Sequence, residues 1–383
     1  MSTNTIALGL FSNIAEIEHD WLGLQKDGLC TFYQTFEWCK AWQETAGVAR
    51  GIEPVIICGR LDDGQLAFIL PFAIEKHFGA RVLCWYSAAE ITYGMGIFNK
   101  AWLAEHGDKI RQLWPGILKT IGAVDAIRLE NQPDIWDGVE NPLKFLFTTR
   151  GANQSYKMAL QGDYQALYEQ KRSSASRRSA RKRDKKLLAS GKVEFGLPAG
   201  GDETAVVIDT MIDQQRQRLG SKGIRSVYSD IRQNFLQQLG KATSDDGTPV
   251  LLPYYLTIDG KICAVMLGGN FQSTYWALIS SLTNDSRLYA LSPGEHALRA
   301  MIEAICDRGY GQLDFASGDT DYKKHWRDET ITLFESIKAL TLKGTVWAGI
   351  AFSRTLIKRV IKQTPWLFSL AQSVRKMLFK KKA

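Results

Sequence analysis

Between residues 291 and 326 the chain reads LSPGEHALRAMIEAICDRGYGQLDFASGDTDYKKHW, a stretch dense in groups that bind anions and move protons. Ser292-Pro-Gly-Glu295 has the form of a capped helix start. Ser292 is expected to cap, Pro293 to take the first helical position, and Glu295 to reach back to the cap's own N–H. Such a start also offers free backbone N–H groups and partial positive charge to a phosphate or pyrophosphate, and Gly294 removes a side chain where a ligand would approach. Many helix starts do no more than cap, so both readings stand. Asp314 is a lone carboxylate in an apolar strand, on the opposite face from Leu313 and Phe315. Burial there would raise its pKa toward that of a general base; the competing reading is a structural Asp that closes a loop or pairs with Lys323. Lys323 suits a carboxylate or sugar phosphate, or a salt bridge to Asp314 or Asp319. Trp326 either stacks on a sugar or is buried, Tyr322 is equally suited to packing, and His325 is expected to be exposed. No Ser/His/Asp order and no metal-ligand spacing accompanies these residues.

The elements that must position them follow from pattern. Residues 54–64 lead into 65–71, and 249–260 into 261–267; each is an apolar strand, an Asp-Gly turn and a second apolar strand, which predicts two hairpins. Each hairpin is followed by a helix, at 105–121 and 293–308, and then a strand, at 125–130 and 312–315. This predicts a duplicated α/β unit. Between them, helices are expected at 164–190 with Asp163 as N-cap, 202–219 and 229–242. A last strand is expected at 337–342, then helices at 347–362 and 366–380 around Pro365. The division expected is an N-terminal domain over 1–155, a C-terminal domain over 156–345 and a basic amphipathic tail over 346–383.

The bulk numbers suit such a protein. The chain has 383 residues, is 45% hydrophobic and carries 11 Trp, enough for sizeable cores. Six Cys without a CxxC predict a reduced, cytoplasmic protein. No secretory signal is expected at the N-terminus, and no apolar run is long enough to span a bilayer. The net charge of +8 is concentrated. Residues 171–186 hold nine basic side chains and one acid, and 336–383 hold eleven and none, so the remainder is acidic. Charge so placed speaks about partners. The first segment suits nucleic acid by charge, but it lacks interleaved aromatics, and a solvated helix is the plainer reading. The second alternates cations with apolar residues, which suits an anionic membrane surface or packing on the acidic body.

The block 292–326 resembles the C-terminal part of the GNAT-like acetyltransferases related to the CelD/BcsL (BioF2-like) cellulose-biosynthesis family. Thr35-Phe-Glu-Trp38 with Trp42, the strand Phe68-Ile-Leu-Pro-Phe72, Tyr93-Gly94 and the basic helix after Tyr168 are similar to that family as well. The resemblance implies an α/β (α+β) class with tandem GNAT-like units, as in the Fem peptidyl transferases, with central mixed, splayed sheets and a basic helical tail. It implies N-acyl transfer from acetyl-CoA or another acyl-CoA to an amine, without a metal. The splayed strand would be 274–282. Leu291, Ser292, Gly294 and Glu295 would hold the cofactor, although the usual Arg/Gln-x-x-Gly-x-Gly/Ala phosphate loop is absent and Glu295 sets a carboxylate beside the pyrophosphate. Asp314 would serve as base, Tyr322 would protonate the thiolate, and Lys323 would assist. Arg216 (with Arg218), Trp276, Asp319 and Trp326 would face the acceptor, an amino sugar or nucleotide sugar. The resemblance further implies a role in exopolysaccharide or cell-envelope assembly, in the cytoplasm and peripherally on the inner membrane. Two other functions fit the same residues: a Fem-like aminoacyl transferase using tRNA, and a non-catalytic binder of the polysaccharide machinery.

Overall fold

The structure, a computed structural model, describes residues 6–223, 226–318 and 320–364. Its contacts divide the chain into two units, residues 6–155 with 331–364, and 156–330. In the first unit the strands lie in the order Ala7–Phe11, Glu53–Arg60, Leu66–His77, Ala80–Trp85, Ala126–Pro133 and Glu329–Ala339. Neighbours are antiparallel except Ala80–Trp85 and Ala126–Pro133, which run parallel over Val82–Cys84 and Ala126–Arg128. A parallel pair needs a crossover, and here it contains the helix Lys109–Ile121, which buries Ile110, Trp114, Ile117 and Ile121 along one face.

The second unit repeats this plan. Its strands lie in the order Val193–Gly196, Leu251–Ile258, Lys261–Phe271, Thr274–Leu282 and Gln312–Ser317. The first three junctions are antiparallel. The last is parallel, and the helix Pro293–Asp307 makes its crossover. The Asp-Gly turn at Asp259 and Gly260 has φ of 49° and 76°, the left-handed conformation that a two-residue hairpin requires. The core gathers Tyr254, Met266, Tyr275, Met301, Ile302, Leu313 and Trp326.

Three expectations are corrected. The helix expected over 164–190 is two helices, Tyr164–Lys171 and Ser174–Leu188, because Arg172 is extended and Ser173 caps the second by accepting from Ser176 N–H. The last strand starts at Glu329, well before 337, and the helix after it starts at Leu342 under a Thr341 cap. Finally, the expected second domain ran through 345, whereas the chain returns to the first unit at Ile331, where Ile337 and Trp347 pack with Ala80, Val82 and Ala126. The helix expected over 366–380 lies outside the described residues.

Candidate active site

In the second unit, strand Thr274–Leu282 pairs with Lys261–Phe271 along its whole length, with a one-residue irregularity opposite Leu267 and Gly268. Against Gln312–Ser317 it pairs only at Thr274, Tyr275 and Trp276. The two strands then part. Tyr275 anchors the junction: it is buried, donates to the carbonyls of Leu252 and Met266, and occupies the space over Gly268, where a Cβ would come within 2.1 Å of its ring.

A cavity of about 810 Å³ opens at this place, within the range of small-molecule sites. Its walls come from the splayed strand (Ser280, Leu282), the start of helix Pro293–Asp307 (Ser292 to Glu295), the segment after Gln312–Ser317, and four arginines.

The helix start differs from the expected capping box. Ser292 is left-handed, with φ 59°, and its side chain makes no capping bond. Its N–H instead donates to Tyr289 O, because the chain enters from the short helix Ser286–Tyr289. Glu295 turns away from the cap. Both its oxygens are bonded by Arg183 Nη2, at 2.8 and 2.6 Å, and Arg172 stands 3.9 Å off. The carboxylate expected to repel a pyrophosphate is thus matched by two guanidinium groups. Asp184, one residue on, bonds His296 Nδ1 at 2.9 Å and Arg299 Nη2 at 2.5 Å. Burial alone would raise the Asp184 carboxyl, but these two partners outweigh it and hold it below its ordinary value. The basic helix is thereby docked on the site helix, with Ala180 and Leu187 buried beneath it. Gly294 faces Leu282: a Cβ there would meet Leu282 Cδ2 at 2.5 Å.

The opposite wall is the helix Asp321–Trp326, reached through a turn in which Ala316 and Gly318 have φ of 56° and 117°. Asp314 makes this turn possible: it is buried, and its Oδ1 accepts from Ala316 N–H at 2.7 Å. It does not line the cavity. Lys323 does; it is 7% exposed, and its Nζ donates to Ser317 O at 2.9 Å. Tyr322 lines it as well, with hydrogen bonds to Ser280 of the splayed strand and to Thr320. Burial raises the Tyr322 hydroxyl above its ordinary value and these bonds offset part of the rise, so it stays protonated at neutral pH. Trp326 is buried, stacked on Tyr168 at 5.9 Å, with the Arg172 guanidinium 5.8 Å from its ring.

Of the residues singled out from sequence, the cavity therefore brings together Ser292, Pro293, Gly294, Glu295, Tyr322, Lys323, Trp326 and, from an earlier helix, Arg218. Leu291 packs on the core instead. Trp276 is buried and donates to Phe271 O. Arg216 bonds Tyr228 O and Asp230, while its neighbour Arg218 lines the cavity. Asp319 lies outside the described residues. His325 is exposed as expected, yet it also lines the cavity. Sequence reasoning missed Arg172, Arg183 and Arg299 as site residues. Cys263 and Cys306 are away from the cavity, and burial keeps their thiols protonated, pushing Cys306 up to about 11. Among the described residues, no group of three or more His, Cys, Asp or Glu could hold a metal ion.

Residues 174–324 match the family model of the acetyltransferase (GNAT) domain, and this stretch contains the splay and most of the cavity wall. No curated protein matches the chain. Among solved structures, FemX is similar over 86% of this chain and 97% of its own, at 12% identity and a TM-score of 0.55. The C-terminal domain of an Agrobacterium fabrum protein assigned as a lysylphosphatidylglycerol synthetase is similar over 91% and 96%, at 10% identity and a TM-score of 0.52. At such identities the likeness is one of fold. The fold is mixed α/β and GNAT-like, its strand plan present in both units, and the match supports an acyltransferase of the GNAT type.

Proposed function

We propose that the chain is an N-acyltransferase that moves an acyl group, acetyl first, from coenzyme A to an amine on an amino sugar or nucleotide sugar. One observation carries this reading: two parallel strands part after three paired residues, directly beside a helix start flanked by Arg172 and Arg183. A strand that loses its neighbour offers a free edge, and an extended pantetheine can add to that edge as another strand would. Its pyrophosphate then meets the helix start at Gly294, the first helical residue with an N–H, and the two guanidiniums. The thioester lies near Ser280, where Tyr322 reaches the splayed strand. The neutral amine attacks the carbonyl carbon, the C–S bond breaks, and Tyr322 gives its proton to the departing thiolate. The amine's proton leaves to solvent at the mouth, where His325 stands. Asp314 and Lys323 hold the turn that aims Tyr322. Arg218 receives the acceptor's anionic group, while Trp326, buried against Tyr168 and Arg172, backs the cavity wall. The resemblance to the CelD/BcsL family supports a place in exopolysaccharide or envelope assembly, and the basic C-terminal segment supports peripheral contact with the inner membrane.

A second reading has its own observation. Arg178, Arg181, Lys182 and Lys185 line a shallow concavity on the exposed side of the basic helix and make no ion pair among the described residues. Such a face suits a phosphate backbone, and the donor would then be an aminoacyl-tRNA. The deciding experiment incubates the purified protein with acetyl-CoA and a panel of amino sugars and follows free thiol. Acceptor-dependent thiol release supports the first reading. No thiol release with any acceptor in the panel, combined with transfer from charged tRNA, supports the second.

A further inference from the structure

The helix Leu342–Gln363 carries a feature that acyl transfer does not use. Trp347, Ala351 and Thr355, at successive i+4 positions, are buried on the first unit, with Thr355 donating to Glu335 at 2.8 Å. Five large apolar side chains face away: Leu342 is 90% exposed, Val346 69%, Ile350 48%, Ile357 57% and Val360 51%. At 3.6 residues per turn these five fall within an arc of roughly 80°, opposite the buried row. Lys343 and Arg354 are exposed along one flank; Lys358, also exposed, falls within the arc of the buried row, where its charge acts on Glu130. Scattered exposed apolar residues need no explanation, but a continuous stripe on a long helix marks an interaction surface.

We propose that this stripe lies on an anionic lipid surface, with the helix in the plane of the interface. The inference deepens the peripheral membrane contact proposed above and does not depend on acyl transfer. An apolar stripe beside cations matches the boundary between acyl chains and acidic headgroups. From residue 336 to the end, the chain has eleven basic residues and no acidic one. A second copy on the stripe would set Lys343 and Arg354 against their own kind. Residues 366–383 folded over it would add Arg375, Lys376 and Lys380 to Lys382 to the same repulsion. Only an anionic partner relieves that charge. The described helices include none long and apolar enough to cross a membrane, so the contact is with the surface.

The test is sedimentation of the full-length protein with vesicles of phosphatidylcholine alone or mixed equally with phosphatidylglycerol. The expected result is binding to the mixed vesicles, weakened by salt and reduced at least about tenfold by Val346→Ser/Ile350→Ser/Ile357→Ser. These three positions are exposed, so the fold should survive; circular dichroism checks it. No binding to the mixed vesicles overturns the proposal. So does unchanged binding of the triple variant, which would place the contact elsewhere. A lipid-free dimer that the triple variant abolishes also overturns it, in favour of a second copy. The readout is lipid binding, so its failure leaves the acyl-transfer reading standing.

Discussion

Replacing Arg183 with Ala should weaken acyl-CoA binding by more than the loss of one contact. Arg183 bonds both oxygens of Glu295, at 2.8 and 2.6 Å, beside the helix start that the account assigns to the pyrophosphate. The substitution removes a cation from that place and uncovers an anion, and both effects oppose a bound pyrophosphate. Two unit charges 4 Å apart interact by about 4 kcal/mol at an effective dielectric of about 20. The two side chains are 36% and 32% exposed, so solvent screens much of this. A net loss of about 1–2 kcal/mol is the sensible expectation, which is about 5–30-fold in Kd. Glu295→Gln should act oppositely, leaving affinity unchanged or tighter, and the double variant should recover part of the loss. Calorimetric titration with acetyl-CoA reads all four proteins, and thermal melts confirm folding. Unchanged binding in Arg183→Ala would mean that the pyrophosphate does not sit beside Arg183. So would a Glu295→Gln loss as large as that of Arg183→Ala, because Glu295 would then be supporting the site.

Tyr322→Phe should lower kcat by about 10–100-fold with little change in the acetyl-CoA KM. Because the Tyr322 pKa is raised above 10.0 by burial, its protonated form persists past that pH. The wild-type rate should then fall only above pH 10, and the variant should lack that limb. Asp314→Asn keeps an oxygen for the Ala316 N–H and should retain most activity, whereas Asp314→Ala should destabilise the protein by about 1–3 kcal/mol in urea titration; inactivity of a folded Asp314→Asn would make Asp314 the base. Gly268→Ala should cost about 1–3 kcal/mol or more, because its Cβ would lie 2.1 Å from the Tyr275 ring.

The hairpins were legible because Asp-Gly between apolar runs specifies a turn whatever surrounds it, and both form. Most of the sequence-predicted residues that share the cavity were legible because they crowd into one local stretch. Much of what failed depended on distant chain. The Ser-Pro-Gly-Glu pattern meets every local condition of a capping box. Yet Ser292 is committed to Tyr289, and Glu295 to an arginine more than a hundred residues earlier. Nothing in a run of nine cations says which one will face that carboxylate. Arg216 and Arg218 look alike in sequence, and only the helix phase sends one to Asp230 and the other to the cavity. Asp314 was correctly seen as out of place in an apolar strand, but pattern alone cannot tell a base from a residue that closes a turn. The stretch 329–336 was missed as strand although Ile331 and Leu333 alternate on its buried face; only Glu329 and Thr330 read as polar loop.

The central claim is that the gap between strands Thr274–Leu282 and Gln312–Ser317, with the helix start beside it, holds an acyl-CoA. Its most direct test is calorimetric titration of the wild type and Gly294→Trp with acetyl-CoA. Micromolar binding by the wild type is expected, lost in the variant because an indole at Gly294 must displace Leu282 and fill the cavity mouth. No binding by the wild type at millimolar acetyl-CoA, or equal binding by a folded Gly294→Trp, would contradict it.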